Sequence, residues 1–160
     1  MEQFTVKSIG TVRGDDHGTR IELEKEFIPA LKNLEGFGYI NVLWWFHQSD
    51  NPASRSKLTE KSPYKASPDI LGTFATRSPE RPNPIALTCA YITYLDFEKG
   101  IIGLAFIDAE DGTPVIDIKP YTPSLDRVEN PIVPDWCAGW PKNVETSGDF
   151  DWSGVFNFPI

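Results

Sequence analysis

Tyr39-Ile-Asn-Val-Leu-Trp-Trp-Phe46 is the stretch whose reading decides the fold. It holds no glycine or proline, and its β-branched and aromatic side chains fall on both faces of an extended chain. That pattern predicts a strand buried on both sides. His47 and Gln48 follow directly. A strand that ends in two hydrogen-bonding side chains can aim them into a cleft; the plainer alternative is that His47 only caps the strand.

Outward from this strand, the chain reads as a series of short extended runs. Upstream, Phe4–Val12 alternates and predicts a first strand, Arg13–Gly18 a polar loop, and Thr19–Phe27 a second strand. Pro29 suits the first turn of a short helix through Leu34, closed by Gly36 and Gly38. Downstream, residues 50–69 lack periodicity and read as a long exposed loop. Strands are expected over Ile70–Thr76, Ile85–Leu95 and Ile101–Ile107, with turns at Phe97–Gly100 and Asp111-Gly112. The second of these strands alternates Ile85, Leu87, Cys89, Tyr91, Thr93 and Leu95. Val115, Ile116 and Ile118 lead into Lys119-Pro120-Tyr121. Residues 122–160 carry three tryptophans without periodicity and are expected to drape irregularly over the core. The expectation is a mainly all-β fold, barrel or sandwich, with short helices. It forms one domain, 1–160, with a core over about 4–123 and an irregular C-terminal extension over 124–160.

Between two of these strands lies Gly72-Thr-Phe-Ala-Thr-Arg-Ser-Pro-Glu-Arg-Pro-Asn-Pro-Ile-Ala-Leu87. Pro79, Pro82 and Pro84 fix their own φ and hold Ser78, Arg81 and Asn83 out of the α region. The segment is a stiff irregular loop carrying Thr76, Arg77, Ser78, Arg81 and Asn83. Little ordering entropy is left for a ligand to remove, which suits a binding site. A surface connection with solvated arginines is the bland alternative.

The 160 residues carry a net charge of −8, 14 prolines and 12 glycines. The acidic balance disfavours broad contact with phosphates without excluding a local basic patch. No apolar run reaches the roughly 20 residues of a membrane span. Residues 1–7 lack the basic and apolar regions of a secretion signal. Cys89 and Cys137 are far apart in sequence and belong to no CxxC pattern, which fits a reduced cytoplasmic protein. His17 and His47 lack metal-ligand spacing, so no metal is expected. No P-loop, GxGxxG, GxSxG or HExxH is present.

What remains is a set of polar residues at strand ends: His47, Gln48, Arg77, Asn83, Asp108, Asp111, Lys119 and Tyr121. Two blocks within this set are specific. Phe74-Ala-Thr-Arg-Ser-Pro-Glu-Arg-Pro-Asn-Pro-Ile85 and Asp111-Gly-Thr-Pro-Val-Ile-Asp-Ile-Lys-Pro-Tyr121 resemble the two signatures of the TsaA-like family. Leu34-Glu-Gly-Phe37 and Trp45-Phe-His-Gln48 resemble two lesser ones, in the same order. The resemblance runs from about Ile9 to Pro123. It implies a small β-barrel, a homodimer, S-adenosylmethionine as methyl donor, and N6-methylation of the threonylcarbamoyl-adenosine beside the tRNA anticodon.

By motif, His47, Gln48, Arg77, Leu87, Ile107 and Asp108 match cofactor contacts. Arg81, Lys119 and Tyr121 are candidates for substrate binding. The sequence departs from the family in three places. Arg13–Arg20 replaces a Pro-Arg-Gln segment, Ile85-Ala86 replaces Ile-Gly, and residues 135–160 do not match the family's C-terminal extension. Methyl transfer from a sulfonium asks mainly for alignment. An adenine N6 also needs its proton shared, for which the Asn83 side-chain oxygen or the Pro84 carbonyl is a candidate; the favoured alternative is that Asn83 shapes the loop. Two further readings stand beside this one, a methyltransferase of the same fold acting on a small molecule and a non-catalytic S-adenosylmethionine-binding sensor.

Overall fold

A computed structural model describes residues 2–16 and 18–159; His17, one half of the histidine pair considered above, lies outside the described residues. Contacts divide the chain into two compact units, Met1–Asn51 with Asn83–Arg127, and Pro52–Pro82 with Val128–Ile160.

The first unit is a closed barrel. Its strands are β1 (Gly10–Asp15), β2 (Gly18–Leu23), β3 (Tyr39–Trp45), β6 (Ile85–Asp96), β7 (Ile101–Leu104) and β8 (Pro114–Pro120). They run β1-β2-β7-β6-β3-β8 around the barrel, every pair antiparallel. Closure removes all edge strands and makes an inside and an outside that alternate along each strand. Val12, Ile21, Ile40, Val42, Ile102 and Val115 fill the interior at 0% exposure. The mainly all-β barrel expected from the sequence is the observed fold.

One facing expectation is corrected. β3 is not buried on both sides. Ile40, Val42 and Trp44 point inward, while Tyr39, Asn41, Leu43 and Trp45 are half-buried on the outer face. In β6 Leu87 and Tyr91 lie outside, both 48% exposed, and Ala86, Ala90 and Ile92 form the inner row; beyond the irregularity between Ile92 and Tyr94, Leu95 packs against the core. The reason is volume. Trp44 pairs with Ala86 and Ile40 with Ala90, so large inner residues of β3 need small ones opposite. The Trp44 indole N–H is satisfied by Thr88 Oγ1 at 3.0 Å.

Element boundaries also moved. The first strand begins at Gly10, and Phe4 and Val6 upstream are exposed. The expected helix at Pro29–Leu34 is a 3₁₀ segment over Lys25–Leu31 with Pro29 inside it. The strand beginning at Ile101 stops at Leu104. At the β6–β7 turn, Gly100 adopts φ 69°, and a side chain there would meet Ile28.

The second unit contains little regular structure. Residues 50–69, expected as an exposed loop, supply a helical turn (Pro52–Arg55) and β4 (Thr59–Lys61), which pairs with β5 (Ile70–Gly72). Thr73–Ala75 form a 3₁₀ turn where a longer strand was expected. The tail does not merely drape. Val155 and Asn157 bond to residues 63–65, and Trp136, Trp140 and Phe156 surround Tyr64.

Candidate functional site

The antiparallel order brings one end of several strands together at one rim of the barrel. β3 exits there beside the start of β6, with Trp45 opposite Ile85, and beside the start of β8, with Trp44 opposite Val115. The exit is pinned by the Phe46 N–H, which donates to the Pro84 carbonyl at 2.8 Å. This uses one side of a carbonyl considered as a proton acceptor; Pro84 itself is fully buried. Asn83 is exposed, and its backbone carbonyl accepts from the Ile85 N–H at 2.7 Å. His47 and Gln48 are exposed in a 3₁₀ turn just past the exit. The Gln48 amide donates to the Glu110 carboxylate, which ties this turn to the β7–β8 connection.

That connection carries Ile107, 5% exposed and packed in the core, followed by exposed Asp108. Its far end is fixed to β1. The Gly112 N–H donates to the Val12 carbonyl, the Val12 N–H to the Thr113 carbonyl, and the Gly14 N–H to Asp111 Oδ1 at 3.2 Å. Gly112 takes φ 83°, which the turn requires. His47, Gln48 and Asn83 thus lie about the exit of β3, Asp108 lies in the connection that Gln48 reaches through Glu110, Leu87 stands on the outer face of β6 opposite Leu43, and Ile107 belongs to the core. Asp108 and the Asn83 side chain are exposed acceptors, and Leu87 is exposed apolar surface on β6.

Lys119 and Tyr121 are not brought to this rim. Lys119 pairs with Asn41, and the Tyr121 N–H donates to the Tyr39 carbonyl at 3.0 Å, both at the entry of β3. The seven residues of β3 separate them from His47, about 20 Å at roughly 3.3 Å per residue. Lys119 is further engaged by Asp117 at 2.7 Å, which raises its pKa. Tyr121 lies 6.3 Å from the Tyr39 ring.

The remaining two candidates belong to the second unit. Arg77 is exposed. Arg81 spends its guanidinium on the loop itself: Nε donates to the Ser78 carbonyl at 2.7 Å, and Nη2 to the carbonyls of Thr76 and Thr73 at 2.7 and 3.3 Å. It stiffens the loop. Sequence reasoning passed over Glu60 and Glu110, which anchor Thr76 and Gln48 through side-chain bonds. Neither belongs to a motif, and no periodic signal marks either. Among the described residues, no group of three or more His, Cys, Asp or Glu could hold a metal ion, and no helix is long and apolar enough to cross a membrane.

Comparison with known proteins bears on the family and the fold. Residues 10–127 match the family model for the tRNA-methyltransferase O N-terminal domain. An S-adenosyl-L-methionine-binding protein of Archaeoglobus fulgidus is 39% identical over 116 residues, 72% of this chain and 78% of that one. The human tRNA (adenine(37)-N6)-methyltransferase is 38% identical over 105 residues, 66% of this chain and 23% of its own length. The crystal structure of TrmO from Pseudomonas aeruginosa superposes with a TM-score of 0.65 at 29% identity, covering 84% of this chain and 62% of that one. The chain thus spans less than two thirds of the solved enzyme and about a quarter of the human one. With more than half of its residues matched by the family model, the barrel order in place and both long signatures present, the chain belongs to the TrmO family.

Proposed function

We propose that this chain is an S-adenosylmethionine-dependent methyltransferase that methylates N6 of an adenosine in tRNA, in its finer form the threonylcarbamoyl-adenosine beside the anticodon. The reading is supported by the placement of His47, Gln48 and Asn83 at the exit of β3, with Asp108 in the connection that Gln48 reaches through Glu110, in a chain whose relatives are named S-adenosylmethionine-binding proteins and tRNA (adenine(37)-N6)-methyltransferases. The donor set fits the cofactor. Asp108 can accept from ribose hydroxyls, Leu87 offers apolar contact to an adenine face with Ile107 packed in the core behind the connection, and Arg77 offers a planar fork to a carboxylate. When bound, S-adenosylmethionine supplies a methyl group already activated on a sulfonium sulfur. The protein's share is alignment and hydrogen bonding. The Asn83 side-chain oxygen accepts from the N6–H of the adenine and so sharpens its lone pair. Arg81 keeps the loop rigid while Arg77 engages the ligand.

The reading extends to a homodimer in the cytoplasm. A loop stiffened by Pro79, Pro82 and Pro84 and by the bonds of Arg81 is suited to complete a neighbouring subunit's site. A monomer at high micromolar concentration that still binds cofactor fully would count against the dimer.

Calorimetry is the direct test of the cofactor. The wild type should bind S-adenosylmethionine in competition with S-adenosylhomocysteine. Arg77→Ala should weaken binding tenfold to a hundredfold, on the order of 2 kcal/mol, and Arg77→Lys should not rescue it, because an ammonium lacks the bidentate geometry. If Arg77→Ala leaves cofactor affinity intact but flattens the salt dependence of tRNA binding, Arg77 belongs to the RNA surface instead. For the reaction, mass spectrometry of tRNA nucleosides from a strain lacking the protein should show loss of the N6-methylated nucleoside.

A further inference from the structure

Residues 52–82 are basic in an acidic chain. They carry six Lys and Arg against Glu60, Asp69 and Glu80, a balance of +3 where the whole chain stands at −8. Glu60 and Glu80 are half-buried and accept from the Thr76 and Ser54 hydroxyls at 2.6 and 3.4 Å, so Asp69 is the exposed carboxylate of the segment. Lys57 and Lys61 are exposed and form no ion pair among the described residues. Beside them stand apolar side chains left in solvent: Leu58 at 67%, Ile70 at 61% and Phe74 at 88% exposure. Lys61 pairs with Ile70 at one end of the β4–β5 ribbon. At the other end, the Thr73 N–H and Oγ1 donate to the Leu58 and Lys57 carbonyls at 3.0 and 3.1 Å, which brings the backbone leading into Phe74 against that of Lys57 and Leu58. Thr73 is itself buried, and its carbonyl accepts from the Thr76 N–H at 3.1 Å and from Arg81 Nη2 at 3.3 Å. Phe74 is thus held in solvent by a fixed backbone, which an isolated protein has no use for. The tail of the same unit, residues 128–160, has five carboxylate side chains to one lysine, but its backbone bonds to the segment fall at Pro63 and Lys65, beyond the Lys61 end of the ribbon.

We infer that the face of the second unit carrying Lys57, Leu58, Lys61 and Phe74 is a docking surface for single-stranded RNA, taking the loop of the tRNA substrate. The inference rests on the proposed tRNA substrate and is independent of the assignment of Arg77. Charge complementarity selects this occupant. A locally positive patch with a presented ring matches a chain that offers phosphates and unstacked bases together, and every base has a face on which Phe74 can stack. A second copy of the chain fits less well, because an isologous contact through this patch would set like charges against each other. Duplex RNA keeps its bases paired and stacked and offers Phe74 no face, so the surface distinguishes a loop from a stem. Because the backbone of Thr73 is fixed beforehand, little ordering cost is added on binding.

Fluorescence anisotropy of the full chain with a labelled tRNA anticodon stem-loop tests this, with an RNA duplex of equal length as control. The wild type should bind the stem-loop more tightly than the duplex. Phe74→Ala should weaken stem-loop binding about tenfold, the effect of losing one base stack, and leave its salt slope unchanged. Phe74→Trp should restore the affinity. Lys57→Ala and Lys61→Ala should each lower the salt slope by about 0.7. These side chains are exposed, so calorimetry should show S-adenosylmethionine affinity unchanged in all of the variants. Wild-type affinity for the stem-loop in Phe74→Ala overturns the inference and leaves the tRNA reading standing, as does an unchanged salt slope in both lysine variants. A parallel loss of S-adenosylmethionine affinity in Phe74→Ala also overturns it, since Phe74 would then serve the fold at large. If sedimentation shows that Phe74→Ala dissociates a dimer while RNA affinity holds, the patch belongs to a second copy and the inference fails. A wild type that binds S-adenosylmethionine but neither the stem-loop nor whole tRNA removes the tRNA reading together with this surface.

Discussion

The barrel and the second unit are built by different physics. In the barrel, six strands alternate inside and outside, and the interior is filled by aliphatic side chains with small residues set opposite large ones. The second unit has two strands of three residues each, and its buried side chains include Ser54, Ser62, Thr73 and Thr76. Its order comes from side chain to backbone bonds and from a chain of ring contacts through Tyr64, Trp136, Trp140, Trp152 and Phe156. Non-directional burial can be spread over many residues. Directional contacts are concentrated in a few, so the loss of one should be felt locally.

Ile40→Ala should break the barrel side of this comparison most strongly. Ile40 is at 0% exposure opposite Ala90, which cannot fill the space left behind. We expect a loss of about 3–4 kcal/mol in chemical denaturation, with the whole barrel responding. Trp140→Ala is the counterpart in the second unit, where Trp140 touches Tyr64, Trp136 and Trp152. It is only half-buried, so a loss of about 2 kcal/mol is expected. Exchange protection should fall over residues 52–82 and 128–159 and hold in the barrel strands. Equal loss of protection in the barrel would erase the distinction.

Thr76→Val is a smaller and sharper change. It preserves shape and removes the hydroxyl that donates to Glu60 and accepts from the Ser78 N–H at 3.3 Å. Leaving the Glu60 carboxylate without this donor should cost about 1–2 kcal/mol, read as faster exchange around Thr76. A neutral outcome would mean that the loop is held by its prolines and Arg81 alone.

The same contrast explains what the sequence disclosed. Barrel strands announce themselves by β-branched, period-two runs, so β2, β3 and β6 were legible. Which face of β6 points inward was not, because Leu87 and Tyr91 are more apolar than the alanines between them and only the bulk of Trp44 and Ile40 decides the matter. β4 was invisible because Thr59-Glu-Lys61 has no apolar alternation. At the site, the strand exit at His47-Gln48 and the proline-rich loop were legible as sequence-local features. Lys119 and Tyr121 were grouped with them because they share a signature with Asp111, yet that signature spans β8 from end to end. A motif that is itself a strand cannot deliver both of its ends to one rim. Glu60, Glu110 and Tyr64 depend on partners far away in sequence, which spacing cannot reveal.

The smallest expected effects compare one turn carboxylate from each unit, Asp96 half-buried and Asp151 exposed. Asp96 closes the β6–β7 turn, its Oδ1 accepting from the N–H groups of Lys99 and Glu98 at 2.9 and 3.1 Å. The Lys99 backbone bond, aided by the Lys99 charge, holds its carboxyl below the usual carboxylate range. Asp151 starts the turn at Trp152–Gly154, and the Ser153 hydroxyl and N–H lower its carboxyl in the same way. A depressed folded-state pKa means stabilisation that is present above the ordinary carboxylate pKa, about 4, and lost as pH falls through the lower folded value. Asp96→Asn and Asp151→Asn keep an acceptor oxygen and remove the charge. Each should slightly destabilise its own unit near pH 7 and make no difference near pH 2, measured by exchange or denaturation at both values. If the directional logic of the second unit reaches its surface, Asp151→Asn should alter exchange from Ser153 through Tyr64, while Asp96→Asn stays confined to residues 96–100. An effect of Asp96→Asn comparable to that of Ile40→Ala would show that the barrel, too, depends on single contacts.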